Sequence, residues 1–89
     1  MMEQTYTIIN KLGLHARAAA KFVTTASNFD SEIKVSREGR TVNGKSIMGV
    51  MMLAAAKGTQ ITVNAEGDDA PDALSALEGL INDFFGEGE

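Results

Sequence analysis

The chain has 89 residues, 44% of them apolar, 22% charged and one of them proline, so by size scaling it has room for one core burying roughly 60 to 70% of its unfolded surface. Eight lysines and arginines against twelve aspartates and glutamates give a formal charge of −4, which argues against a general nucleic-acid binder with its continuous basic face. The absence of cysteine excludes disulfides, thiolate metal sites and a cysteine nucleophile.

From Gln4 to Ile9 the sequence alternates, with Tyr6 and Ile8 on one face and Thr5 and Thr7 on the other, and predicts a strand that Gly13 ends. From Ala16 to about Ser27 the residues Ala16, Ala19, Ala20, Val23 and Ala26 recur at helical spacing; this stripe is expected to face the core, with Phe22 and Phe29 off it. Glu32 to Ser36 alternates again, Arg37-Glu38-Gly39-Arg40 supplies a turn, and Thr41 to Asn43 resumes extension, the pattern of a β-hairpin.

Gly44 ends that extension. Ser46 then precedes Ile47, Val50, Met51 and Ala54 at i, i+3, i+4 and i+7, predicting a short helix with serine at its N-cap and Gly58 as its stop. Gln60 to Ala65 predicts the last strand, with Ile61, Val63 and Ala65 on one side. Ala70, Ala73, Leu74, Leu77, Leu80, Ile81 and Phe84 trace a strongly amphipathic helix with Pro71 in its first turn. Residues 86–89, Gly-Glu-Gly-Glu, are expected to be a flexible acidic tail too polar to pack. The order βαββαβα, with half-polar strands, predicts an α+β fold: an open-faced β-sandwich in which a mostly antiparallel sheet carries all three helices on one face, in one domain over residues 1–89.

The only histidine, His15, stands in Gly13-Leu14-His15-Ala16-Arg17, where an extended segment gives way to the alanine-rich helix. The first amides of a helix lack intrahelical partners and carry the positive end of its dipole, so an anion beside Ala16, Arg17 and Ala18 is stabilised. Arg17 adds a permanent cation. A neutral imidazole is a nucleophile, and the placement makes His15 a candidate phosphoryl acceptor. No metal is expected, since one histidine without cysteine cannot supply several convergent ligands of those kinds. Neither a serine-triad motif nor a glycine-rich nucleotide loop is present, so no cofactor is expected and the phosphate must come from elsewhere. The first residues lack a signal peptide's basic and apolar regions, and no apolar run approaches the ~18 residues a bilayer requires, so membrane insertion is not expected and a cytoplasmic location is the default.

Gly13-Leu14-His15-Ala16-Arg17, the segment Asn43-Gly44-Lys45-Ser46-Ile47-Met48-Gly49-Val50-Met51 and the order of elements together resemble the HPr family of bacterial histidine-containing phosphocarriers, over nearly the whole chain. The resemblance implies a carrier rather than a free-standing enzyme. Enzyme I, charged from phosphoenolpyruvate, would place the group on Nδ1 of His15, and His15 would pass it to Enzyme IIA components of sugar permeases. It further implies regulation at Ser46 by an HPr kinase/phosphorylase, with a transcriptional regulator as a further partner. Ala18 stands where many members have proline, which leaves one more amide donor in the first turn.

Met48, Met51 and Met52 cannot all face one core from a short helix, so at least one is expected to be exposed; Met48 and Met51 match the family's docking patch, joined here by Ile47. Arg17, Lys21 and Lys45 are expected to form a local basic rim for acidic partners. A monomer is the simplest expectation. Two alternatives stay open: a phosphocarrier serving a nitrogen-related regulatory branch with little sugar transport, and a partner-binding module without phosphate chemistry.

Overall fold

The computed structural model describes residues 2–89. Among the described residues four strands, β1 (Met2–Thr7), β2 (Glu32–Arg37), β3 (Arg40–Asn43) and β4 (Gln60–Glu66), form one antiparallel sheet in the order β1-β4-β2-β3. Three helices, α1 (Ala16–Ala26), α2 (Ile47–Met52) and α3 (Ala70–Asn82), cover one face, and a 3₁₀ turn, Phe84–Gly86, follows α3. This is the α+β open-faced sandwich the patterning predicts. Register explains its two faces. Val35 lies opposite Val63 and Ile33 opposite Ala65, and all four are buried beneath the helices. Thr5, Thr62, Ser36 and Thr41 fall in one row on the open face, where hydroxyls pair across strands at 3.1 Å (Thr5 with Thr62) and 3.0 Å (Ser36 with Thr41).

The first helix is rotated from its expected face. Ala18, Ala19, Phe22 and Ala26 are buried, whereas Ala16 is exposed and Ala20 and Val23 are only partly covered. Alanines at five of its eleven positions make several stripes similar in pattern, and the fully buried Phe22 decides among them because its ring removes far more apolar area from water than any alanine. The first strand spans Met2–Thr7 rather than Gln4–Ile9, although Ile8 still packs in the core.

The second helix also departs from its expected length. It ends at Met52, and Ala54 takes a left-handed backbone (φ 50°) well before Gly58. Tertiary bonds override helix propensity here. Arg37 and Arg40 donate to the carbonyls of Leu53 and Met52 at 3.0 and 2.9 Å, and the Leu14 amide takes the Ala55 carbonyl at 2.9 Å. Only Val50 of α2 is buried, and Ile47, Met48 and Met51, the residues expected in a docking patch, lie exposed with Met52.

Asp69 sits at the N-cap of α3 without capping it through its side chain. Its carboxylate instead reaches across to the start of β2, accepting from the Ser31 hydroxyl, the Asp30 amide at 2.8 Å and the Ser31 amide at 2.9 Å. The Ser31 hydroxyl first, then the Asp30 amide, hold this carboxyl below its ordinary value of 3.8. A depressed carboxyl contributes stability that is present in full above 3.8 and is lost as pH falls through the folded value. We therefore expect Asp69→Asn to be less stable than the parent at neutral pH, and the gap to close below 3.8, as read by urea unfolding across that range.

Candidate functional site

His15 occupies the N-cap of α1, with an extended backbone (φ −76°, ψ −179°), and its carbonyl accepts the first intrahelical bond, from Ala19 at 2.8 Å. The amides of Ala16, Arg17 and Ala18 precede that bond and point out of the helix start. The Arg17 amide donates to His15 Nδ1 at 3.3 Å, so Nδ1 presents a lone pair to the helix. Nε2 therefore carries the ring proton and donates it to Glu87 Oε2 at 2.5 Å. The imidazole is partly open, its side chain 27% exposed, whereas that of Glu87 is 10% exposed.

Glu87 was not legible as a site residue, and residues 86–89 differ from their expected looseness. The strap is held by its own neighbours. Phe85 is fully buried, Lys21 Nζ donates to the Phe85 carbonyl at 2.6 Å, and the Lys11 amide donates to the Glu89 carbonyl at 3.1 Å. Asn10, fully buried, uses its amide nitrogen to join the Gly13 carbonyl (2.8 Å) to Glu87 Oε1 (3.0 Å). Burial works against the Glu87 charge, but hydrogen bonds from Asn10 and His15, with the charges of His15 and Lys21, outweigh it and hold the carboxyl below its ordinary value of 4.5. An ionised Glu87 can only accept, which fixes the ring tautomer. Glu87→Gln is expected to slow phosphoryl acceptance by His15 about fivefold and to weaken the Nε2 proton's protection in NMR spectra.

A cleft of about 330 Å³ beside the imidazole is lined by Lys11, Leu12, Arg17, Lys21, Gly86, Glu87 and Glu89. Arg17 is exposed on the first turn of α1, which carries no acidic residue. A larger depression of about 670 Å³, between the open sheet face and the β2–β3 turn, holds hydroxyls and Arg37 but no nucleophilic imidazole, and Arg37 is spent on the Leu53 carbonyl. The smaller cleft is the one that reaches Arg17 and Glu87, the two residues hydrogen-bonded to the His15 ring.

The remaining sequence-selected residues fall into two groups. Ser46 caps α2, its Oγ accepting from the Gly49 amide at 3.1 Å, and Ile47, Met48, Met51 and Met52 are exposed beyond it on a helix packed against α1. Lys21 and Lys45 are less free than a simple rim implies, since Lys45 Nζ donates to the Phe29 carbonyl at 2.7 Å, much as Lys21 holds the strap.

An open-faced sandwich that offers one partly exposed imidazole, its Nδ1 lone pair turned toward the first amides of a helix and lightly held by the Arg17 amide, has the form of a small carrier of an anionic group. The comparisons specify which. Residues 2–83 match the family described as "PTS HPr component phosphorylation site". The chain is 60% identical over 89 residues to the phosphocarrier protein HPr of Neisseria meningitidis serogroup A, with both chains fully covered. The crystal structure of HPr-C-His from Thermoanaerobacter tengcongensis, 52% identical, superposes with a TM-score of 0.94 over 98% of each chain. An HPr dimer from the same organism, also 52% identical, gives 0.79 over 98% of this chain and 100% of that one. The chain belongs to the HPr family, the phosphocarriers of the phosphotransferase system.

Proposed function

We propose that the 89-residue chain acts in the cytoplasm as a single phosphocarrier domain, taking a phosphoryl group from Enzyme I onto His15 Nδ1 and delivering it to Enzyme IIA components of sugar permeases. The observation that carries this reading is the ring's polarity: Nε2 is held by Glu87 at 2.5 Å, and Nδ1 faces the start of α1 with only the longer 3.3 Å bond from the Arg17 amide to give up. The Nδ1 lone pair forms the new bond to phosphorus as the donor's bond breaks. The proton on Nε2 stays in place, the ring becomes cationic, and Glu87 balances it. Arg17 and the amides of Ala16, Arg17 and Ala18 stabilise the charge spread over the three phosphoryl oxygens. The onward step reverses this sequence, so the chain is a stoichiometric relay that depends on Enzyme I for its charge rather than an enzyme.

Ile47, Met48 and Met51 form the docking surface, and the charges of Arg17, Lys21 and Lys45 favour encounter with acidic partners. The chain works as a monomer, an assignment supported by a site completed entirely from its own C-terminal strap. Reconstitution with Enzyme I, phosphoenolpyruvate and purified IIA proteins tests the reading: label should pass through His15 to a sugar-specific IIA. Delivery to a nitrogen-branch IIA alone would replace the sugar assignment, and absence of label on His15 would refute the carrier reading.

Ser46 is the regulatory acceptor for an HPr kinase/phosphorylase, and its modified form is the one a transcriptional regulator would bind. A phosphate there adds roughly −1.5 to −2 charges at a helix start that tolerates them, so its effect falls on docking beside Ile47 and Met48 rather than on the fold. Ser46→Asp is expected to stay within about 1 kcal/mol of parental stability while transfer from Enzyme I slows about tenfold, as read by urea unfolding and transfer kinetics.

A further inference from the structure

The docking helix is also a sulfur surface. Met48, Met51 and Met52 are 70%, 37% and 59% exposed on the six residues of α2, and among the described residues no hydrogen bond engages their sulfurs. The chain has no cysteine, so an oxidant meeting this protein has only thioethers as reactive sulfur. The helix is anchored by Val50 and Leu53, both buried, and its last carbonyls are held by Arg37 and Arg40. None of these holds uses a methionine side chain, so a change at the three sulfurs leaves the fold standing and alters only the surface.

We propose that Met48, Met51 and Met52 form a peroxide-reactive modification site whose oxidation weakens docking to Enzyme I, an inference that rests on the assignment of α2 as the docking surface. Each sulfur attacks one peroxide oxygen with a lone pair, the O–O bond breaks, the thioether is oxidised to a sulfoxide, and the peroxide is reduced to water. A flexible apolar side chain becomes a polar one that a partner's apolar surface must desolvate. His15 lies on another helix and is chemically unchanged by the step. A sulfoxide reductase removes the oxygen as water while two thiols are oxidised to a disulfide, so the switch is reversible.

The test treats the intact protein with hydrogen peroxide, maps sulfoxides by peptide mass, and compares two phosphoryl donors: Enzyme I, which must dock, and phosphoramidate, a small donor that need not. The expected result is early oxidation of Met48 and Met52, then a rise in KM for Enzyme I of about tenfold with phosphoramidate transfer unchanged, and recovery after reductase treatment. A variant with all three residues replaced by leucine, compared with its own untreated sample, should keep its KM for Enzyme I after peroxide even though Met2, 41% exposed, remains oxidisable. The proposal is overturned if protein carrying all three sulfoxides accepts phosphate from Enzyme I at the untreated rate. It is equally overturned if the phosphoramidate reaction falls in parallel, because the damage then lies at His15 or in the fold. Untreated Met48→Ala separates this failure from failure of the docking assignment: slowed transfer leaves docking intact and removes only the redox step, whereas unchanged transfer removes both.

Discussion

Replacing Arg17 by alanine is expected to slow transfer from Enzyme I about a hundredfold while leaving stability within about 0.5 kcal/mol of the parent or slightly improved. The two effects separate because of where the residue stands. A cation in the first turn of a helix opposes the dipole, which costs roughly 0.3 to 1 kcal/mol at an exposed position, and Arg17 has no acidic neighbour in that turn to offset it. The guanidinium is useful only when an anion arrives. Its backbone amide, which touches Nδ1 at 3.3 Å, survives the substitution, so the ring keeps its orientation and the loss falls on the charge alone. Arg17→Lys should recover part of the rate, since a point charge replaces a planar fork of donors. Stopped-flow transfer kinetics with urea unfolding on the same samples checks both halves.

The second large effect is on the loop that presents the imidazole. At Gly13, φ is +69°, and an added Cβ would lie 2.4 Å from the Ala55 carbonyl oxygen and 2.9 Å from the Ala56 Cα, both backbone atoms that cannot swing aside. The same Ala55 oxygen accepts the Leu14 amide, one residue before His15. Gly13→Ala must therefore move either the α2–β4 segment or the His15 loop, on top of the left-handed strain. We expect a loss of more than about 2 kcal/mol, which for a chain of this size lowers Tm by roughly 10 °C, together with slower phosphoryl acceptance. Gly58 provides the contrast. It also has a positive φ (+92°), but a Cβ there meets nothing within 4 Å, so Gly58→Ala should lose only about 1 kcal/mol and leave transfer unchanged. Thermal unfolding of the pair separates steric from conformational cost.

Gly13 and His15 mark how far the site was readable without a structure. They announce themselves because a glycine, a junction and an imidazole fall together at a helix start, where local backbone chemistry does the work. Glu87 gives no such signal. It is 72 residues away from His15, in a Gly-Glu-Gly-Glu run without periodicity, and it is brought home by a backbone that no local rule anticipates. Phe84 and Phe85 both take left-handed angles (φ 56° and 53°), an unfavourable choice for bulky residues that the burial of Phe85 compensates. The face of α1 was ambiguous for a different reason, since alanines carry too little area to choose a stripe until Phe22 is given its place. The strands were the easy part: alternation in Ile33 to Val35 and Ile61 to Ala65 translates directly into the buried face of β2 and β4.

Phosphorylation by Enzyme I and phosphoenolpyruvate, followed by isotope-edited NMR of the His15 ring nitrogens, tests the central claim most directly. The expected product is an acid-labile phosphate bonded to Nδ1, with the proton retained on Nε2 opposite Glu87. A phosphate on Nε2, or one carried by another residue with the His15 ring unaltered, would contradict it.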